Sequence, residues 1–339
     1  MTEKGVMRAA LCARYGDAAA VAMREVPRPV PGAGEVLVRI QASTLDSADR
    51  RIRALDMPPG FGPMARLAFG FRRPRQPIFG TTLAGTVEAI GPGVTRFQPG
   101  EAVVASTGAA QGCHAEYRVI SERKAIVAKP EALGFEAAAA VIFGGMTARF
   151  FLEEKVKLTA GQSVLVIGAG GAVGIAAVHF AKAAGARVTA CCSSGKANWV
   201  LAQGADAVID YRAAGWPEAH HAAFDMVIDT VGAVPARQAA QLAREGGTLV
   251  VVSASLRDLL ALPTLKARTG RVVVGGMVPD HAEGLARVMA HAEARRLRPA
   301  IGARFPLERI AEAHALIDAG HKAGSIVITM GPADLSAPS

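Results

Sequence analysis

From residue 163 onward the chain repeats one pattern: a short, almost wholly apolar run, then a longer helix-compatible segment, then another apolar run. The runs are SVLVIG at 163–168, RVTACC at 187–192, AVIDY at 207–211, DMVIDTVG at 225–232, TLVVVS at 248–253 and RVVVGG at 271–276, spaced by about twenty residues. Segments such as IAAVHFAKAAG and PARQAAQLAREGG fill the intervals, a length that suits right-handed crossovers between parallel strands. Continuous apolar strands, rather than alternating ones, are what a sheet covered by helices on both faces requires. The expectation is an α/β chain with a six-stranded, doubly wound parallel sheet.

The first of these strands runs into GAGGAVG, Gly168 to Gly174, and then into a helix. A strand-to-helix turn stripped of side chains lets a pyrophosphate approach backbone N–H groups at the positive end of the helix. Glycines alone also serve tight helix–strand packing, but the strand before and the helix after make this a dinucleotide site. Its spacing is GxxGxxG on 168, 171 and 174, with Gly170 extra, so Gly168, Gly170, Gly171, Ala172, Val173 and Gly174 are candidate cofactor contacts. Where NAD is selected, an acidic side chain at the end of the second strand bonds the ribose 2′-hydroxyl. Here that strand ends in Cys191-Cys192-Ser193-Ser194-Gly195-Lys196, with no acid expected in reach. Hydroxyls and a lysine suit a 2′-phosphate, which favours NADPH (NADP+) over NADH. Ser193 or Ser194 also suits a helix N-cap, and the two roles are compatible.

The first part of the chain is different. Residues 7 to 126 read as short strands with turn punctuation, among them EVLVRIQA from Glu35, GTVEAIG from Gly85 and EAVVAS from Glu101. Beyond residue 297, FPLERIAEAHALIDAGHKAGSIVITM gives a helix flanked by strands, and the last residues read as a tail. At 339 residues the chain exceeds the roughly 250 to 300 at which one core stops growing, so two domains are expected.

Composition narrows the function classes. Hydrophobic residues make up 51% and charged residues 20%, as in a packed globular protein. The net charge of +9 is spread along the chain with few aromatics interleaved, which fits solubility and an anionic cofactor better than nucleic acid. The one dense basic run, Arg72 to Arg75, reads first as a solvated or interface loop and second as a polyanion contact. The longest weakly polar stretch, Val164 to Val178, is too short and glycine-rich to span a bilayer, and Lys4, Arg8 and Arg14 interrupt any secretory core. Neither nucleic acid nor membrane is expected as a partner, and the cytoplasm is the expected location. Cys12, Cys113, Cys191 and Cys192 form no CxxC pair and have no histidine at metal spacing, so reduced thiols and no metal are expected.

Several landmarks occur in one order: PGAGEVLVRIQAST, FGTTLAGTVEAIGPGVTRFQPGEAVVAS, AEYRVI, GFEAAAAVIFGGMTA, SVLVIGAGGAVG, QGADAVIDY, DMVIDTVG and RPAIGARFPLERIAEAHALIDAGHKAGSIVI. In these the chain resembles the medium-chain dehydrogenase/reductase superfamily, specifically its zinc-free quinone-oxidoreductase-like branch, which includes chains labelled NAD(P)-dependent alcohol dehydrogenase. The resemblance runs from about Arg8 to Met330 and bears more on fold than on substrate. It implies a β-rich GroES-like catalytic domain at 1–126, completed by 298–339, and a Rossmann domain at 127–297, with ligands in the cleft between them. It also implies that Ser193, Lys196 and Tyr211 grip the adenosine 2′-phosphate, and that Thr147, Gly171 to Val173, Ser253 and Gly275 hold the nicotinamide and pyrophosphate. A homodimer through Rossmann-sheet edge strands follows from the same likeness.

Zinc-dependent members place a Cys, a His-Glu pair and a further Cys around the ion. The matching positions here read Asp46, Thr81-Thr82 and Phe143, and the four-cysteine structural lobe is missing. Without a Lewis acid, quinones and α,β-unsaturated carbonyls accept hydride more readily than saturated ketones, because charge delocalises onto oxygen. The leading expectation is therefore NADPH-dependent reduction of a small apolar quinone or enone, helped by proximity and a hydrogen-bond donor. Candidate donors or relays are Thr44, Asp46, Ser47 and Asp49, with Thr81 and Thr82. Asp46 stands where zinc-free relatives commonly carry asparagine or threonine, and an ionised carboxylate there would repel a developing oxyanion unless burial kept it protonated. Its alternative role is to cap the helix that starts near Ala48. The stretch from Met57 to Pro74 reads either as an apolar lid on the cleft or as simple packing. The rival functions are a metal-free alcohol/ketone dehydrogenase and a catalytically inactive NADP(H)-binding redox sensor.

Overall fold

The computed structural model describes residues 5–320 and 322–331; all but the first residue of the expected C-terminal tail lies outside them. The chain begins with an antiparallel pair, β1 (Val6–Cys12) and β2 (Val21–Pro27). It continues through β3 (Glu35–Leu45), β4 (Thr82–Ile90), β5 (Ala102–Ser106), β6 (Tyr117–Ser121) and β7 (Ile126–Ala128). The parallel set follows: β8 (Ser163–Ile167), β9 (Arg187–Cys192), β10 (Ala207–Asp210), β11 (Phe224–Asp229), β12 (Ala243–Val251) and β13 (Val272–Gly275). Two closing strands are β14 (Ile301–Pro306) and β15 (Ser325–Thr329). The helices are α1 (Ser47–Ala54), α2 (Gly62–Phe69), α3 (Phe135–Arg149), α4 (Ala172–Ala183), α5 (Ala197–Ala202), α6 (Trp216–Ala219), α7 (Ala236–Leu242), α8 (Leu256–Thr269), α9 (Ala282–Glu293) and α10 (Ile310–Asp318).

The parallel sheet has the order β10-β9-β8-β11-β12-β13, which is the Rossmann order with its switch point between β8 and β11. Its strands are apolar throughout because both faces are covered. On β8, Val164 and Val166 enter the core beneath α3, α4 and α9, while Leu165 and Ile167 enter the opposite core with Trp216, Ala239, Ala240 and Leu242. All six expected strands are present, and every pairing among them is parallel.

The second sheet runs β14-β15-β3-β4-β5-β7, with β6 on β3. Strands from the end of the chain therefore complete the sheet built by its beginning: Ile326 pairs with Leu45 and Thr329 with Ala42. This pairing draws residues 322–324 over the phosphate loop, where the Gly324 N–H donates to the Gly170 carbonyl at 2.9 Å.

The longest apolar helix is not the 164–178 stretch that stood out in the sequence. It is α3, which continues as a π-helical stretch, Phe150–Lys155, and by length and composition could cross a membrane, yet 78% of its apolar window is buried inside the fold. It packs on α4 and α9 on one side and on β3, β4 and β15 on the other, so it joins the two sheets. Small residues make this close contact possible. A Cβ at Gly144 would lie 2.3 Å from the carbonyl oxygen of Ala172, the first residue of α4, and one at Gly145 would meet Val288 and Leu297.

That obstacle at Gly144 is backbone and cannot rotate away, so Gly144→Ala must push α4, and the phosphate loop with it, off α3. Overpacking of this kind costs about 1–3 kcal/mol. The expected result is a lower urea midpoint together with weaker nicotinamide nucleotide binding by fluorescence titration; an unchanged midpoint and affinity would show that the helices separate freely.

Candidate functional site

The phosphate loop is bare of side chains for steric reasons that can be traced glycine by glycine. Gly168 has φ +79, and a Cβ there would lie 2.7 Å from both Thr230 Oγ1 and Val231 Cγ1. A Cβ at Gly174 would lie 2.3 Å from the Gly168 carbonyl oxygen. Gly171, by contrast, has only one distant neighbour, 3.7 Å away, and stands as the N-cap of α4 with extended backbone. The first N–H groups of a helix lack intrahelical partners, so Ala172, Val173 and Gly174 present donors at an open, side-chain-free surface. A pyrophosphate fits this cradle, which a Cβ at Gly171 would narrow.

At the end of β9, Ser193 sits at the N-cap position of the turn Ser194–Lys196, but its hydroxyl makes no cap bond. Lys196 lies along Gly170, its Cδ 2.7 Å from where a Cβ would stand, and its Nζ donates to the Lys322 carbonyl at 2.6 Å. Burial lowers the Lys196 pKa, and Lys322 and Arg212 lower it further, so three cations converge here. Tyr211 is 46% exposed, with the Arg212 guanidinium 5.7 Å from its ring centre. The sequence reading of this strand end needs one correction. The register of β9 and β10 sets Asp210 opposite Cys192, so an acid does stand one strand away, where it accepts the Arg212 N–H at 2.9 Å.

Across from this loop, a compact polar cluster is buried at the start of α1. Thr44 Oγ1 donates to Asp46 Oδ2 at 2.7 Å and lies 2.7 Å from Thr82 Oγ1, so Thr82 donates to Thr44. The Asp46 N–H donates to Asp49 Oδ2 at 2.8 Å, and the Gly80 N–H donates to Asp49 Oδ1 at 2.9 Å. Asp46 is thus the N-cap residue of α1 by position, but its side chain turns to Thr44. Its second oxygen, Oδ1, is buried without a hydrogen bond and faces Lys322 Nζ at 3.8 Å. Thr81 Oγ1 is also buried without a partner, while Ser47 is exposed and does not join the cluster.

His114 closes the cluster from behind. Its Nε2 lies 3.0 Å from the Thr44 carbonyl; a carbonyl only accepts, so Nε2 carries the proton. Burial holds His114 down to about 4, so it is neutral. Burial likewise pushes the Cys113 thiol up to about 12. Both belong to a packed loop: the Cys113 N–H bonds the Gly80 carbonyl and the His114 N–H the Phe79 carbonyl. Gly80, at φ +89, is required because a Cβ would meet the His114 ring at 2.6 Å.

Desolvation raises the Asp46 carboxyl to about 6, opposed chiefly by the Lys322 charge, and raises Asp49 to about 6 against its two backbone N–H donors. Burial therefore provides what a carboxylate at this place needs: ready protonation, and a cation beside it when ionised.

The remaining candidates are dispersed. Thr147 Oγ1 donates within α3 to the Phe143 carbonyl at 3.0 Å. Ser253 accepts from Arg51 of α1 at 3.0 Å, and the Leu256 N–H donates to the Pro59 carbonyl at 2.9 Å, so β12 and α8 meet the first sheet's appendages. Gly275 ends β13 with Leu262 2.9 Å from its Cβ position. A cavity of about 1280 Å³ opens between these elements, lined in part by Arg51, Met57, Pro59, Val231, Ser253 and Arg257. The lid expectation divides: Met57, Pro58 and Pro59 line this cavity, whereas the apolar residues of α2 do not.

The comparisons agree with this architecture. The model of the alcohol dehydrogenase GroES-like domain matches residues 32–155, and that of the zinc-binding dehydrogenase matches 203–328. A chloroplastic quinone oxidoreductase of Triphysaria versicolor is 31% identical over 340 residues, covering 95% of this chain and 98% of the relative. Human quinone oxidoreductase is 28% identical over 344 residues, with 97% and 99% covered. Among solved structures, a quinone oxidoreductase from Coxiella burnetii superposes with a TM-score of 0.85 at 25% identity, covering 96% of this chain and all of the other. An NAD-dependent alcohol dehydrogenase gives 0.82 at 28%, with the same coverage. The fold and site define an oxidoreductase with a nicotinamide-binding domain. The chain belongs to the medium-chain dehydrogenase/reductase superfamily, in its quinone-oxidoreductase-like branch.

The metal named in the second family description does not fit the residues present. Among the described residues no group of three or more His, Cys, Asp or Glu side chains is gathered for an ion. Near Asp46, the donors are already committed: His114 Nε2 to a carbonyl and both Asp49 oxygens to N–H groups.

Carboxyls whose folded pKa exceeds the unfolded value hold protons that the unfolded chain has released. Stability is therefore greatest below the unfolded value and falls as pH rises from about 4 through about 6. Asp46→Asn should flatten that fall, measured as urea midpoints at about pH 4 and about pH 6.5; an equally steep fall in the variant would assign it to Asp49 or elsewhere.

Proposed function

We propose that this chain is a zinc-independent, NADPH-dependent oxidoreductase that reduces a quinone or an α,β-unsaturated carbonyl by hydride transfer. The observation that carries the reading is the short turn at residues 322–324, which bonds the phosphate loop through Gly324 and sets Lys322 beside Asp46. One turn thus serves both the loop that takes the pyrophosphate and the buried donor cluster. The division of labour follows the two sheets, with residues 1–126 and 298–339 as the catalytic unit and 127–297 as the nucleotide unit.

When bound, the cofactor supplies the hydride. The protein's own groups do the rest. Gly168, Gly170, Gly171, Ala172, Val173 and Gly174 take the pyrophosphate on backbone N–H groups, and Thr147, Ser253 and Gly275 flank the nicotinamide. When Asp46 is protonated the bonds from Thr82 to Thr44 and from Thr44 to Asp46 reverse, and a proton passes from Asp46 through the Thr44 and Thr82 hydroxyls to the substrate oxygen as negative charge grows there. Lys322 offsets the Asp46 charge, so that the developing oxyanion does not face an uncompensated carboxylate. Asp49 holds α1 and Gly80 in register, and Ser47, being exposed, has no part in this chain.

Preference for NADPH rests on Ser193, Ser194, Lys196 and Tyr211 together with Arg212, whose charge lies near enough to Lys196 to depress it. A 2′-phosphate is the ligand that makes such a gathering of cations favourable. The Asp210 carboxylate argues for NADH, but it is already engaged by the Arg212 N–H. The likeness to an NAD-dependent alcohol dehydrogenase supports a second reading, a metal-free alcohol/ketone dehydrogenase using NADH. The working unit we take to be a cytoplasmic homodimer through β13, an edge strand whose Val272 is 42% exposed. Val272→Lys, which blocks edge pairing, should then yield monomers in sedimentation.

The direct test mixes the protein, NADPH or NADH, EDTA, and a panel of quinones, enones, ketones and alcohols. Quinone or enone turnover with NADPH, unaffected by EDTA, is expected. Alcohol oxidation with NAD+ would transfer the conclusion to the second reading, and cofactor binding without turnover to a redox sensor. Loss of one charged hydrogen bond predicts that Lys196→Ala raises the KM for NADPH about tenfold to a hundredfold, with little change for NADH. Equal effects on both cofactors would remove the 2′-phosphate role. Lys322→Met should move the alkaline limb of the kcat/KM profile, where the Asp46 proton is lost, up by about one pH unit, because Asp46 loses the charge that opposes its protonation.

A further inference from the structure

The insert between α1 and β4 presents an apolar surface on its outer side. On α2, Ala65 is buried and Phe69 packs on the first sheet's core, so the inner face is satisfied. Yet Met64 is 58% exposed and Leu67 63%, and Phe71, just past the helix, is 62% exposed, and none of the three lines the cavity of about 1280 Å³. Met64 and Leu67 fall at i and i+3 on one side of α2, and Phe71 follows Gly70, whose φ of +118 ends the helix. The loop that carries them is anchored: the Tyr15 hydroxyl donates to the Gly70 carbonyl at 2.8 Å, and the Arg75 N–H to the Phe69 carbonyl at 2.8 Å. Such a display is unusual for a surface meant only for water.

Charge tells what covers it. Arg66, Arg72, Arg73 and Arg75 surround the patch and are exposed, and from Met57 through Val87 the sequence has no acidic residue. Among the described residues none of the four is in an ion pair, although ion pairs occur elsewhere on the molecule. Apolar side chains ringed by unpaired arginines match an anionic lipid surface, which takes the former among its acyl chains and the latter at its headgroups. A second copy of this patch would be repelled by its own charge.

We propose that α2 and the loop after it, through Met64, Leu67 and Phe71 with the four arginines, dock this protein reversibly on an anionic membrane surface. This departs from the sequence-based expectation of no membrane partner, which rested on spanning segments; docking needs none. If the quinone reading above holds, docking sets the cavity mouth at Met57 to Pro59, one turn from α2, beside the phase in which apolar quinones dissolve. The docking itself does not rest on that reading.

The test is flotation with phosphatidylcholine vesicles, with and without phosphatidylglycerol. The protein should float with the anionic vesicles only, and release with salt. Partitioning should fall roughly fivefold per arginine removed, about 25-fold in R72A/R73A, and about tenfold or more in L67S/F71S. Unchanged melting temperature would establish that both variants are folded, and turnover of a water-soluble quinone, where the wild type shows any, should equal wild type. No flotation of the wild type, or flotation equal in both variants, overturns the proposal. So does retention on RNA, or self-association lost in L67S/F71S, without vesicle binding. Flotation without quinone turnover sustains the surface and sinks only the catalytic reading.

Discussion

The hydrogen bond from the Gly324 N–H to the Gly170 carbonyl ties together what the sequence keeps 154 residues apart. It forms only because β15 returns to pair with β3, and because neither partner carries a side chain. Gly324 has φ +54, and a Cβ there would lie 2.1 Å from the Ala300 carbonyl oxygen. Once this turn is seated, Lys322 has little freedom: its carbonyl receives Lys196 and its ammonium faces Asp46. The spatial relation between the phosphate loop and the buried acid cluster is thus a consequence of backbone packing, which is stiff, rather than of side-chain reach, which is not.

Electrostatics across this turn are coupled. Burial lowers the Lys196 pKa and the Lys322 and Arg212 charges lower it further, while Lys322 is the main charge stabilising ionised Asp46. An anion arriving near Lys196 relieves the repulsion among the cations. It also competes with the Lys322 carbonyl for the Lys196 ammonium. Lys322 therefore borders both charges: its carbonyl meets the Lys196 ammonium and its own ammonium faces the Asp46 carboxyl.

Much of the nucleotide half was legible in the sequence, because each of its signals is local. Apolar runs without alternation announce a doubly covered sheet, and a glycine string between strand and helix announces a phosphate loop. What escaped the sequence was non-local. Lys322 reaches Asp46 through a pairing between the two ends of the chain, Asp210 faces Cys192 only through strand register, and His114 reaches the Thr44 carbonyl only because Gly80 leaves room for its ring. Asp46 was read as either cap or relay; position makes it the one and its side chain turns to the other. Even α3, the longest apolar helix, was hidden as a run of alanines and glycines, since small residues signal close packing only when the partner backbone is known.

On the proposed reading, the buried acid lets the site do without a metal's charge and still handle a developing oxyanion. A metal stabilises negative charge by proximity alone, whatever the protonation of its neighbours. A carboxyl raised to about 6 by burial must instead be poised: protonated it donates, ionised it repels unless Lys322 is near. In that reading Thr44 and Thr82 act as spacers, since a hydroxyl between acid and substrate would pass the proton while holding the carboxylate one group further from the new charge. Electrophiles that spread their charge over a conjugated system ask least of such an arrangement, and that is the physical reason quinones and enones, rather than saturated ketones, suit it.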